Sequence, residues 1–274
     1  MISIAVLLTC HNRKVKSIAC LEALFNNQIQ EDIKFDVYLV DDGSSDGTYQ
    51  AIKLNFPNVN IIVGNGNLFW NRGMILAWET AHKTNEYDFY LWLNDDTFIF
   101  NNSIQIIIDD SKQRNHMSII VGACKSKVLN ETSYSGFHKK NHQLINPNGT
   151  LQQCYFFNGN FVLIPKSVFD IVGNLDSFYK HSFGDFDYGL RALKLGILSY
   201  VSSEYIGICE LNNTPNWRNP KINLLRRIKI LYSPLGLSPV EHFVYSYKHW
   251  GLLKATFTFF SIHIRMIYPK FWKK

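Results

Sequence analysis

Three short apolar runs, at 2–9, 35–40 and 59–63, alternate with segments around 14–28, 45–55 and 70–84 whose apolar residues recur at helical spacing. Alternation of this kind is the mark of a parallel sheet with helical crossovers. A fourth run, Tyr87 to Leu93, and a fifth, Ser118 to Ala123, extend it, followed by a polar, Asn- and His-rich stretch up to Gly149. The pattern predicts an α/β fold, doubly wound in the first half and mixed in the second.

At 274 residues, 46% hydrophobic and 18% charged, the chain can bury a full core, which excludes a disordered or fibrous protein. One main domain over 1–212 is expected, in halves of about 1–115 and 116–212. A turn-rich link opens a basic, aromatic tail over 213–274, with helical segments at about 219–232 and 239–268. The five cysteines are scattered and form no close CxxC pair, so neither a disulfide framework nor a zinc site is expected. That usage fits a reducing, cytoplasmic setting. Ile2 to Leu8 follows Met1 without a basic leader, and reads as a first strand.

Ligands of open α/β sheets collect at the carboxyl ends of the strands, so the residues after Leu8, Val40, Val63 and Leu93 matter most. After the second run stands Val40-Asp41-Asp42-Gly43-Ser44-Ser45-Asp46-Gly47-Thr48. Its carboxylates could accept hydrogen bonds from a base or a ribose, or could equally build a turn in which Ser45 or Asp46 caps a helix. After the fourth run stands Asn94-Asp95-Asp96-Thr97. Adjacent acids repel, so a cation should reside there. Oxygen ligands suit Mg²⁺ or Mn²⁺, which could bridge carboxylate and diphosphate. The bland alternative is an acidic loop before a helix near 101–115.

Together with Thr9-Cys10-His11-Asn12-Arg13 at the first strand end, these motifs resemble glycosyltransferase family 2, of the GT-A fold, over about residues 1–210. The resemblance implies an inverting, metal-dependent transferase, with 1–115 as its nucleotide-binding half and 116–212 as its acceptor half. It places Thr9 and His11 beside the nucleobase, Asp41 and Asp42 at base and ribose, Asp95 near the ribose, and Asp96 on the metal. Asn12, Arg13 and Asn94 join the donor-binding set as neighbours of these. Gly64 to Met74 resembles a segment that starts a helix beside the donor, with Asn71 and Gly73 at the matching positions and Asn67 just before them. A dinucleotide-binding reading of Gly64 and Gly66 fails, because the third glycine would fall at Phe69.

Phe183-Gly184-Asp185-Phe186-Asp187 resembles the family's acidic motif, which implies a carboxylate base that takes the acceptor proton. Asp185 matches it, Asp187 could share the role, and Gly184 departs from the family's usual acid. Helix-start acids, with Asp187 paired to Arg191, would satisfy the same residues. Asn158, Gly159 and Trp217 are expected to line the acceptor. A histidine usual near 205–210 is missing, so His181, Glu210 or water would substitute.

From Arg218 onward, eleven Lys and Arg face the single acid Glu241. Cations interleaved with aromatics suit the surface of an anionic membrane, and Lys254, His263 and Arg265 argue against a transmembrane span. Nucleic acid is not an expected partner. The expected partners are a nucleotide-sugar, UDP-linked by default or dTDP-linked, and a glycan or lipid-linked acceptor. The rival readings are a sugar nucleotidyltransferase and a non-catalytic nucleotide-sugar or glycan-binding module.

Overall fold

The computed structural model describes residues 1–212 and 216–269. Strands β1 (Ile2–Cys10), β2 (Ile33–Asp41), β3 (Asn60–Val63) and β4 (Phe89–Leu93) form the parallel half, joined by α1 (Lys14–Phe25), α2 (Thr48–Asn55) and α3 (Phe69–Thr84). β1 is apolar from Ile4 to Leu8 because both sheet faces are covered there. Ala5 and Leu7 point into one cluster with Tyr38, Trp78 and Trp92. Ile4, Val6 and Leu8 point into the other, with Leu21, Leu24 and Leu91. Each buried valine, leucine or isoleucine among them contributes roughly 1.5–3 kcal/mol by its burial.

The second half contains β5 (Phe98–Ile99), α4 (Ser103–Lys112), β6 (Ile119–Lys125), β7 (Thr132–Tyr134), β8 (Gly136–Phe137), β9 (Gln152–Cys154), β10 (Phe156–Phe157), β11 (Phe161–Pro165), α5 (Lys166–Val172), α6 (Gly184–Lys194) and β12 (Ser199–Ile208). The main sheet runs β3-β2-β1-β4-β11-β6-β12-β5, and β8 pairs with β10 separately. The mixed half follows from β11, which is antiparallel to both β4 and β6. That direction sets Phe161 opposite Leu93. The turn before β11 therefore meets the turn after β4, where Asn94 N–H donates to Asn160 C=O at 2.9 Å.

The tail holds a 3-10 turn (Asn216–Arg218), α7 (Leu224–Tyr232) and α8 (Pro239–Ile267). The Asn223 side chain caps α7 by accepting from Arg226 N–H at 2.9 Å. Gly251 breaks α8 with φ 81° and ψ 176°. Among the described residues no helix is long and apolar enough to cross a membrane.

Candidate active site

The ends of β1 and β2 are clasped to each other by short polar side chains. Asn12, at φ 50°, donates its N–H to Ser44 Oγ at 2.8 Å and accepts from Ser45 N–H at 2.7 Å. His11 Nδ1 lies 2.6 Å from the Asp42 carbonyl. Thr9 packs against Gly73, where an added Cβ would overlap its hydroxyl. Asp46 accepts from Thr48 N–H at 3.0 Å as α2 begins, so the turn and capping chemistry is present.

Asp42 is bonded to the backbone of the loop that leads into α3. Its Oδ1 accepts from Gly66 N–H at 2.8 Å, and its Oδ2 from Leu68 and Phe69 N–H at 2.9 and 3.0 Å. At 3% exposure, both oxygens are committed to the backbone that starts α3, where the helix dipole favours an anion. Asp42 thereby holds the loop together. Asp41 is also buried and accepts from Ser44 N–H at 3.0 Å. Asn67 is exposed on the loop, bonded to Asn65. Asn71 is fully buried and donates to the carbonyls of Asp176 and Tyr179, both at 2.9 Å. It tethers the loop ahead of α6.

The turn after β4 is organised by side chains. Arg13 spans the acids, with NH1 at 2.6 Å from Asp95 Oδ1 and NH2 at 2.8 Å from Asp96 Oδ2. This guanidinium is the cation that the adjacent carboxylates demanded. Ser17 donates to Asp95 Oδ2 at 3.2 Å, and Lys16 Nζ stands 3.8 Å from Asp96. Burial raises the Asp95 carboxyl to about 6, with Arg13 opposing and Asp96 adding to the rise. Among the described residues Asp96 Oδ1 meets only the Cys209 thiol, at 3.9 Å, so it has bonding capacity to spare.

Asn94 joins this turn to α6. Its Oδ1 accepts from Trp70 Nε1 at 2.7 Å. The Trp70 ring lies on Gly159, where a Cβ would come within 2.7 Å of it, and Gly159 N–H donates to Asp185 Oδ2 at 2.9 Å. Asp95, Asp96, Asn94, Trp70, Gly159 and Asp185 thus belong to one site. Burial pushes the Asp185 carboxyl up to about 6, against hydrogen bonds from the amides of Gly159 and Phe186. Asn158 borders this group and exchanges hydrogen bonds with Ser135 at 3.1 and 3.4 Å.

Asp187, two residues on, is fully buried and has a different set of partners. Arg191 Nε and Lys248 Nζ both lie 2.8 Å from its oxygens, and His249 Nε2 lies at 2.9 Å. Despite the burial, hydrogen bonds from His249, Lys248 and Arg191 hold its carboxyl well below the usual range. It anchors the first part of α8 onto α6. The Gly184 departure has a local reason: Asn71 fills the space that a side chain there would need.

Trp217 is likewise elsewhere: it is fully buried with Leu231, Ile262 and Met266 within the tail. Glu210 accepts from Ser126 Oγ at 2.6 Å and Lys127 N–H at 2.7 Å, pinning that loop. His181 lies within reach of the Arg13 charge, and burial together with that charge lowers its pKa. Sequence reasoning overlooked Lys16 and Ser17, although they stand one helical turn beyond Arg13 on α1.

An open sheet with a mixed extension, its strand ends gathering paired aspartates, an arginine and a shielded carboxylate, has the architecture of the GT-A fold. The chain matches the description Glycosyl transferase family 2 over residues 5–174, more than half its length, and belongs to that family. Its fold is similar to crystal structures of S. aureus TarS. One, at TM-score 0.56 and 14% identity, is matched over 86% of this chain and 43% of that one. A TarS 1-349 structure in complex with UDP-GlcNAc gives TM-score 0.57 and 15% identity, over 88% and 66% of the two chains. Another in complex with UDP gives 0.57 and 16%, over 90% and 73%. The chain thus spans less than half of the longer TarS chain. No curated protein matched the chain.

Proposed function

We propose that the chain moves a sugar from a nucleoside-diphosphate donor to an acceptor hydroxyl with inversion at the anomeric carbon. The observation that carries this reading is the connection Asp185–Gly159–Trp70–Asn94, which puts a raised carboxyl in the same cleft as Asp95 and Asp96. In a single displacement the acceptor oxygen attacks as its proton leaves, and Asp185, ionised above about pH 6, takes that proton. One in-line attack inverts the centre.

Among the described residues no three His, Cys, Asp or Glu side chains are grouped to hold a cation. A divalent ion such as Mn²⁺ or Mg²⁺ would still fit, since such ions commonly take one or two carboxylates and complete their shell with phosphate oxygens and water. Asp96, with Oδ1 uncommitted, is the residue that would hold it, and the ion would neutralise charge on the departing diphosphate. Arg13 and Lys16 lie at the same place and would face that diphosphate. Asp41, Thr9, His11 and Gly73 would border the nucleoside. The resemblance to TarS structures holding UDP and UDP-GlcNAc favours a UDP-sugar, with a dTDP-sugar as the alternative.

The acceptor is proposed to be a glycan or lipid-linked intermediate in polysaccharide, O-antigen, capsule or lipid-linked glycan assembly. The tail would hold the protein on the inner face of an anionic membrane. A nucleotidyltransferase is disfavoured because the segment after β1, Thr9 to Arg13, has no glycine with which to wrap phosphates.

The test is a thermal-shift screen against UDP, dTDP, GDP, CDP and CMP, with and without Mn²⁺, because a ligand bound by the native state raises the midpoint. One nucleotide is expected to shift it in a metal-dependent way. Asp185→Asn should keep that shift and lose transfer by about 10²- to 10⁴-fold. No shift with any nucleotide would favour a non-catalytic module.

A further inference from the structure

Beyond Gly251 the last helix carries a surface that the transfer chemistry leaves unused. Leu253, Phe257, Phe260 and Ile264 are 89%, 68%, 59% and 50% exposed. Their spacing of four, three and four residues sets them on one helix face. The opposite face, Ala255, Ile262 and Met266, is buried, the latter two against Trp217 and Leu231. This stretch is therefore apolar on both faces, and a contiguous exposed patch of that kind marks a contact with something else.

The charge around the stripe says what that is. Lys254 borders it, with its Nζ 5.9 Å from the Phe257 ring. On α7, Leu225, Lys229 and Tyr232 share an exposed face, and the Tyr232 hydroxyl meets His263 Nε2 at 2.8 Å, which brings that face alongside. Arg226 is exposed next to it. From Arg218 onward the only acid is Glu241, which is buried. A second copy docked through a two-fold axis would set these cations against one another. An anionic bilayer satisfies both features: apolar side chains enter the headgroup–acyl boundary while lysine and arginine stay at the phosphates.

We propose that residues 252–267 lie in the plane of an anionic lipid surface, with Leu253, Phe257, Phe260 and Ile264 inserted and Arg226, Lys229 and Lys254 on the headgroups. The part of α8 before Gly251 is locked to α6 through Lys248, His249 and Asp187, so the inserted part continues directly from the helix bound to α6. Its use, presenting the cleft to a lipid-carried acceptor, rests on the transferase reading; the surface itself does not.

The full chain is sedimented with vesicles of phosphatidylcholine alone and of equal parts phosphatidylcholine and phosphatidylglycerol. Wild type is expected to bind the mixed vesicles at least about tenfold more tightly. Phe257→Ser combined with Phe260→Ser should lose binding to both kinds, and Arg226→Glu with Lys229→Glu should lose only the preference for the anionic kind. Thermal midpoints and their shift by UDP are read on the same samples. Unchanged vesicle binding by the phenylalanine variant overturns the proposal. So does a wild type that ignores both vesicles and is instead a dimer, by light scattering, that the variant dissolves. Vesicle binding without any nucleotide shift would sink the transferase reading and leave the membrane surface standing.

Discussion

Two adjacent-aspartate turns flank the central strand β1, one after β2 and one after β4, and they are held by different partners. All four carboxylates are buried, at 2% and 3% exposure for Asp41 and Asp42 and at 3% and 8% for Asp95 and Asp96. Asp42 is fixed by the amides of Gly66, Leu68 and Phe69, which it cannot release without opening the loop. Asp96 is held by the Arg13 and Lys16 side chains, at 2.8 and 3.8 Å, and not by backbone amides. Helix α6 repeats the contrast within one turn: Asp187 is bonded by the Arg191, Lys248 and His249 side chains, while among the described residues Asp185 accepts only amide hydrogen bonds. Burial alone does not mark a reactive carboxylate; what matters is whether its partners can be exchanged.

The largest expected effect tests the first turn. Asp42→Ala strands three backbone donors and should lower the unfolding free energy by roughly 3 kcal/mol in urea titration. Asp96→Ala, by contrast, should change it by no more than about 1 kcal/mol, because Arg13 keeps Asp95 as its partner and Lys16 is half exposed. Equal losses would erase the distinction between the turns.

A smaller effect tests the contrast within α6. Lys248→Met removes one of the partners of Asp187 and should cost about 2 kcal/mol, seen as a lower urea midpoint. If stability were unchanged, Asp187 would not be the anchor between α6 and α8.

The smallest effect is a pH dependence that separates the two carboxylates in sign. Asp185, raised from 3.8 to about 6, binds its proton more tightly in the folded state, so its contribution to stability falls as pH rises between those values. Asp187, held low, contributes stability above the usual carboxylate range that is lost as the pH falls through and below it. Asp185→Asn should flatten the slope between about pH 4 and 6, and in wild type kcat/KM should decline below about pH 6. A kcat/KM profile level down to pH 5 would remove Asp185 as the base.

The parallel half was legible because strands buried on both faces leave unbroken apolar runs, such as Ile4 to Leu8 and Phe89 to Leu93. The direction of β11 was not, since Phe161 to Ile164 reads the same whichever way the strand runs. The site motifs were legible as residue types after strands, but their partners were not. Whether Asp42 or Asp96 faces amides depends on how Gly64 to Phe69 folds back, and no periodicity encodes that. Lys248 and His249 reach Asp187 across about sixty residues of sequence, a contact set only by the docking of α8. Trp217, expected from the sequence to line the acceptor, is closed over by the tail helices. Gly184 looked like a lapse from the family pattern until Asn71 was seen to occupy its space.

The most direct measurement is calorimetric titration of UDP, with and without Mn²⁺, into wild type, Asp96→Ala and Asp185→Asn. Wild type and Asp185→Asn are expected to bind alike and more tightly with the metal, while Asp96→Ala loses the metal-dependent gain. If Asp96→Ala kept that gain, or if Asp185→Asn lost UDP binding, the division of the cleft into a donor side at Asp96 and a proton-accepting side at Asp185 would be wrong.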